Sequence, residues 1–124
     1  MEQGNRKALL QMLIMLSQPV ESTLKELARF GWDSAEELAV FEFRHIDRIL
    51  RRYVDGELNA SVVEGWANAI EGRDDIGYSE KDSASLKQFI FELANPELNQ
   101  ALSHDLARSI LVRTQGIGAD KRLD

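Results

Sequence analysis

Cysteine is absent from the 124 residues, which removes disulfides, iron–sulfur clusters, thiolate zinc sites and cysteine nucleophiles from consideration. A cysteine-free chain suits a reducing cytoplasm, the expected location. No apolar stretch approaches the roughly 20 residues that a membrane-spanning helix needs. The longest, Ala8 to Leu16, follows Arg6 and Lys7 in the manner of a secretory leader, yet no small-x-small cleavage pattern comes after it. The phosphate-cradling G-x-x-x-x-G-K-[ST] loop, the G-x-S-x-G elbow and a G-x-G-x-x-G turn are missing, and Gly116-Ile117-Gly118 is an isolated pair. Nothing in the order of residues assembles a nucleophile, a base and an oxyanion donor. No catalytic residue, cofactor or metal ion is therefore expected. Positive charge is in deficit, with Lys+Arg 15 against Asp+Glu 21 and a net charge of -6. That balance disfavours non-specific contact with nucleic acid or an anionic membrane and suits a basic protein partner.

Hydrophobic residues at 44% and charged residues at 29% are globular proportions. A chain of this length predicts one domain, residues 1–124, burying roughly two-thirds of its unfolded surface. Six helical patterns follow one another. Leu9, Leu10, Met12, Leu13, Ile14, Met15 and Leu16 cover nearly every side of the first helix, more than one amphipathic stripe requires. That helix is expected to be central in a bundle or shared with a second copy in a homodimer. Pro19 restarts the chain at a new helix carrying Val20, Leu24, Leu27 and Ala28, closed at Phe30-Gly31. Ser34 and Glu37 form a capping box for a third helix running to about Asp55, with Gly56 as its stop. The segment Ala39 to Phe43 is readable as a strand, but it lies inside the longer helical period and is expected to be helical. Asn59 caps a fourth helix ending at Gly72, and Arg73 to Glu80 reads as a loop. A fifth helix ends near Asn95-Pro96, and Ser103 caps a sixth. Beyond Thr114, two glycines and mixed charge predict a mobile tail over about 115–124. The expected fold is all-α, a single-domain bundle of about six helices.

The residues with chemical potential fall into three groups. His45 and His104 are far apart in sequence, without metal-ligand spacing, and read as a boundary residue with a hydrogen bond and a surface residue. Glu71, Asp74, Asp75 and Glu80 gather acidic oxygens without the order of a calcium loop. Arg73 among them is able to bridge the helix end to a nearby carboxylate. Arg44, Arg48 and Arg52 recur every four residues, so they share one helix face. Such a ridge suits phosphates or an acidic protein patch, although Glu42 and Asp47 interleave with it. Trp32 stands in a connector, where it either packs on the core or serves as an aromatic anchor for a partner. Trp66 reads as core.

Three stretches form a recognisable set: Tyr53-Val54-Asp55-Gly56-Glu57-Leu58, then Glu64 through Gly77 with the pattern W-A-N-x-I-E-G-R-x-D-I, then Ile90-Phe91-Glu92-Leu93-Ala94-Asn95-Pro96. Together they resemble a group of small bacterial helical proteins of unknown function, over about residues 32–113. The resemblance implies bacterial origin, a cytoplasmic location and a small helical fold, and it carries no catalytic residues. A looser likeness, in size and charge alone, is to immunity proteins of bacterial toxin systems. The expected function is a protein–protein interaction module without catalysis, in its sharpest form an immunity-type inhibitor of a basic toxin. Its candidate contacts are Trp32, Arg44, Arg48, Glu71, Arg73, Asp74 and Asp75. The alternatives are a small-molecule binder or enzyme using the Glu71 to Asp75 loop with His45, and nucleic-acid binding through Arg44 to Arg52.

Overall fold

Leu10, Leu13, Ile14 and Leu16 are all buried, and Leu9 packs on the same core, so the chain itself covers much of its most apolar helix. A computed structural model describes residues 2–30, 37–98 and 100–123, with side chains over 5–29, 37–98 and 100–114. Its elements are α1 (Glu2–Met15), α2 (Val20–Leu27) running into a 3-10 turn (Ala28–Phe30), β1 (Ala39–Phe41), α3 (Phe43–Val54), α4 (Ala60–Glu71), β2 (Ile76–Tyr78), a second 3-10 turn (Glu80–Asp82), α5 (Ser83–Ala94) and α6 (His104–Leu123). The fold is all-α, with six α-helices among the described residues. α1 touches α2, α3, α4 and β1, while α5 lies on α4 and α6 lies on α3. The helical backbone of α6 extends across the residues expected to form a tail. Trp32 and Ser34 lie outside the described residues.

Local signals account for most helix ends. The Asn59 side chain accepts the Val62 N–H at 2.9 Å, and Ser103 Oγ accepts the Leu106 N–H at 3.1 Å, each satisfying a donor that the first turn leaves unpaired. Gly56 adopts φ +84 just after α3, with the Glu57 N–H on Arg52 O and the Gly56 N–H on Tyr53 O. This is a Schellman turn with glycine in its left-handed seat.

The third helical segment departs from expectation. Residues 39–41 form a strand, and α3 begins only at Phe43. β1 pairs in parallel with β2, Ala39 opposite Ile76 and Phe41 opposite Tyr78, with α3 and α4 as the crossover that parallel strands require. The stretch read as a plain loop thus contains β2. Helical period and strand alternation coincide here: Ala39 and Phe41 are buried and Val40 is exposed. Only the distant partner strand decides between them. The Phe41 ring then sits among Trp66, His45 and Tyr78 at 5.5 to 5.9 Å between centroids.

The end of α1 is held by residues remote in sequence. Leu16 N–H bonds to Leu13 O and Ser17 N–H to Met12 O, the same Schellman pattern as at Gly56, but the left-handed seat is occupied by Leu16 at φ 50. A β-carbon in that conformation costs on the order of 1–2 kcal/mol. The buried Leu16 side chain offsets this cost. Trp66 Nε1–H donates to Leu13 O and Ile14 O, and Arg52 Nη1 donates to Met15 O and Leu16 O, all at 3.0 to 3.1 Å. The guanidinium also places positive charge at the negative end of the helix dipole. Leu16→Ala and Leu16→Gly both lower stability, but the glycine variant is expected to be the more stable of the two by about 0.5–1 kcal/mol. Urea denaturation of the pair measures this directly.

Candidate functional site

The Glu71 to Asp75 segment is the first candidate. Arg73 Nε and Nη2 donate to the two carboxylate oxygens of Asp75 at 2.8 and 2.9 Å, and Arg6 Nε reaches Oδ2 from α1 at 2.9 Å. The Asp75 side chain is 2% exposed. Burial raises its pKa, but the hydrogen bonds from Arg73 and Arg6 outweigh that effect and hold the carboxyl below its ordinary value. Its carbonyl accepts the N–H groups of Leu38 and Ala39. Arg73 and Asp75, expected at a partner-facing surface, are instead turned into the fold. Glu71 and Asp74 are exposed, so the segment splits into an inner structural half and an outer acidic half. Tyr78 next to it has its phenol pKa raised by burial and by Glu71. Among the described residues, no group of three or more acidic or histidine side chains is arranged to hold a metal ion.

The arginine ridge also divides. Arg44 and Arg48 are exposed, with Arg44 paired to Glu42 at 3.1 Å, while Arg52 is spent on the α1 carbonyls and on Glu57. A continuous phosphate track of three cations is therefore not presented. His45 is buried against Phe41, and its Nδ1 accepts the Glu42 N–H at 2.9 Å, the return half of a capping box with histidine in the usual glutamate seat. Burial first, then the Arg44 charge, lowers its pKa from 6.5 to about 4 against the opposing effect of Glu42. His104 is exposed at the start of α6, with its ring edge-on to Tyr53.

A depression lies where the turn after α1 meets the turn after α3. Leu16, Pro19, Val20, Leu58 and Val62 line a cleft of about 360 Å³, with Arg52, Glu21 and Ser61 beside them. It adjoins a second depression of about 400 Å³ that shares Leu16, Ser17 and Arg52 and adds Arg48 and Glu57. Arg48 thus comes from the predicted set. The apolar lining was not foreseen, because the α1 and α3 turns carry no local sign that they meet.

No family model, curated protein or solved structure matches this chain.

Two substitutions separate the buried polar groups. Asp75→Ala leaves Arg6 and Arg73 facing an emptied buried site and is expected to cost about 3–5 kcal/mol, read as a lower urea midpoint. His45→Gln keeps an acceptor in the capping-box seat. The wild-type chain is expected to lose stability as pH falls from 6.5 toward 4, because the unfolded ring takes a proton that the folded ring refuses. The glutamine variant lacks that part of the slope. The contribution of Asp75, whose folded pKa lies below 3.8, persists through this window and is lost only at lower pH.

Proposed function

We propose that this protein is a binding module that acts by occupying a partner's surface rather than by catalysis, with an immunity-type inhibitor of a basic toxin as its specific form. One observation carries the reading. The polar side chains with most chemical potential, Asp75, Arg73, Arg52 and His45, are engaged in internal hydrogen bonds, while the apolar cleft around Leu16, Val20 and Val62 stays open to solvent. Glu21 borders that cleft and Glu57 the depression beside it, and the net charge of -6 steers a basic partner toward the molecule over distances of the Debye length. Apolar contact then holds what charge has guided. Trp32 serves in this reading as a further aromatic anchor.

A second reading, small-molecule binding at the Glu71 to Asp75 segment, draws on an apolar cleft of about 260 Å³ between α2 and α4. Leu24, Leu27, Ala69, Gly72 and Arg73 line it.

The test is affinity capture from a bacterial lysate with the wild-type chain and with Val62→Asp, each washed at low and high salt. Val62 is 37% exposed, so the substitution alters the cleft with little effect on folding. A stoichiometric protein held by the wild type, released by salt and reduced about tenfold or more by Val62→Asp is the expected result. Equal recovery on both baits, or no stoichiometric protein on either, overturns the reading.

A further inference from the structure

The cleft at Val62 and the cleft at Ala69 lie between the same two helices. In the first, Val20 and Glu21 of α2 stand across from Ser61, Val62 and Gly65 of α4. In the second, Leu24, Leu27 and Ala28 stand across from Asn68, Ala69 and Gly72. Each helix thus passes from the first set to the second on its next turns and in the same direction. At about 100° per residue, Val62, Gly65, Ala69 and Gly72 share one face of α4. The clefts of about 360 and 260 Å³ are therefore the two ends of one groove, about 16 Å long by the helical rise from Ser61 to Gly72.

The floor of this groove lies lower than the fold requires. Gly65 stands inside α4, where glycine is destabilising relative to alanine, and a β-carbon there would meet nothing within 4 Å. Gly72 has φ -84, a conformation open to any residue, and a β-carbon would make only an ordinary contact. The walls are apolar, with Val20, Leu24 and Ala69 half-buried against the core and Val62 37% exposed. Charge along the rim is one-sided. Arg52 and Arg73 line the groove, but they are committed to the α1 carbonyls with Glu57 and to Asp75. Glu21 also lines it, and Glu64 and Glu71, seven residues apart, share the flank of α4 beside it. Among the described residues, none of these three carboxylates is ion-paired. Lys25 is the cation of α2.

We propose that the groove receives an amphipathic α-helix of a partner protein, basic on its flanks, laid along α2 and α4 with its apolar stripe on the glycine floor. The main-chain groups of both walls are bonded within their own helices, so an extended segment finds no backbone to pair with, whereas a helix satisfies its own. Apolar residues at i, i+3 or i+4, and i+7 of the incoming helix match the spacing of Val62, Gly65, Ala69 and Gly72. Glycine at position 65 lets the two helix axes approach closely. Lysine or arginine on the flanks meets Glu21, Glu64 and Glu71. The inference rests on the protein-binding reading, names the element that the partner presents and extends its contact beyond Val62 to Gly72.

The probe is a displayed library of 15-residue peptides with leucine fixed at helical period and lysine, glutamate or serine randomised on the flanks, selected on the full wild-type chain. Selected peptides are expected to carry lysine on their flanks, to gain helical circular dichroism on binding and to shift the Leu24, Gly65 and Ala69 amide resonances. Gly65→Leu is expected to raise the urea midpoint, because leucine is the better helix former and meets no neighbour, while weakening the peptides about tenfold or more. Opposite signs in stability and binding separate a lost site from a lost fold. Ala28→Lys, an exposed change at the far end, is expected to weaken them by at least threefold. Failure of any peptide to emerge, equal enrichment of glutamate flanks, or undiminished binding to both variants overturns the inference. A wild-type chain that sediments as a dimer and a Gly65→Leu chain that sediments as a monomer overturn it in favour of a second copy. A lysate protein that depends on Val62 but is indifferent to Gly65→Leu and Ala28→Lys also overturns it, and leaves the protein-binding reading intact.

Discussion

The buried carboxylate of Asp75 holds together parts of the chain that share no local logic. Arg6 reaches it from α1, Arg73 grips it from the residue after the α4 cap, and its own carbonyl receives the backbone of Leu38 and Ala39. One residue thus ties the start of the central helix to the point where the sheet begins. Burying these charges earns little net stability, since desolvation consumes most of the Coulombic gain. What the cluster supplies is register. With both arginines committed to Asp75, β2 can meet β1 only in the pairing that puts Ile76 opposite Ala39.

The other end of α1 is secured by a different chemistry. Four successive carbonyls, from Leu13 to Leu16, receive the Trp66 indole and the Arg52 guanidinium. Both side chains come from neighbouring helices, so the last turn of α1 is satisfied without water. A leucine consequently tolerates the left-handed seat that glycine fills after α3. α1 is pinned at both ends, and the turn that follows it, from Leu16 to Pro19, forms one wall of the cleft at Val62. A rigid wall favours recognition, because little ordering entropy is lost when a partner arrives.

Much of the helical layout was legible in the sequence. Pro19, Gly56, Asn59, Pro96 and Ser103 each act at short range, through a fixed φ, a left-handed conformation or a side-chain cap. Arg73 beside Asp75 was legible for the same reason. Residues 39–41 were not, because buried Ala39 and Phe41 satisfy a strand and also continue the helical spacing to Phe43 and Ile46. The choice depends on β2, reached only after α3 and α4 have folded back. The arginine ridge was legible as a pattern and misleading as a surface: spacing by four put Arg52 on the same face as Arg48, but the α1 terminus came to meet it.

The sequence by itself determined the all-α character, the number of helices and most of their ends, since these follow from side-chain periodicity and caps acting within a few residues. It also determined the acidic balance and the lack of cysteine chemistry, which are properties of composition. Only the tertiary structure decided which polar groups are spent and which are free. Asp75, Arg52 and His45 are exhausted by partners distant in sequence or buried by packing, while an apolar cleft remains open. Burial and hydrogen-bond satisfaction are properties of surroundings, and those surroundings exist only once remote segments have packed together.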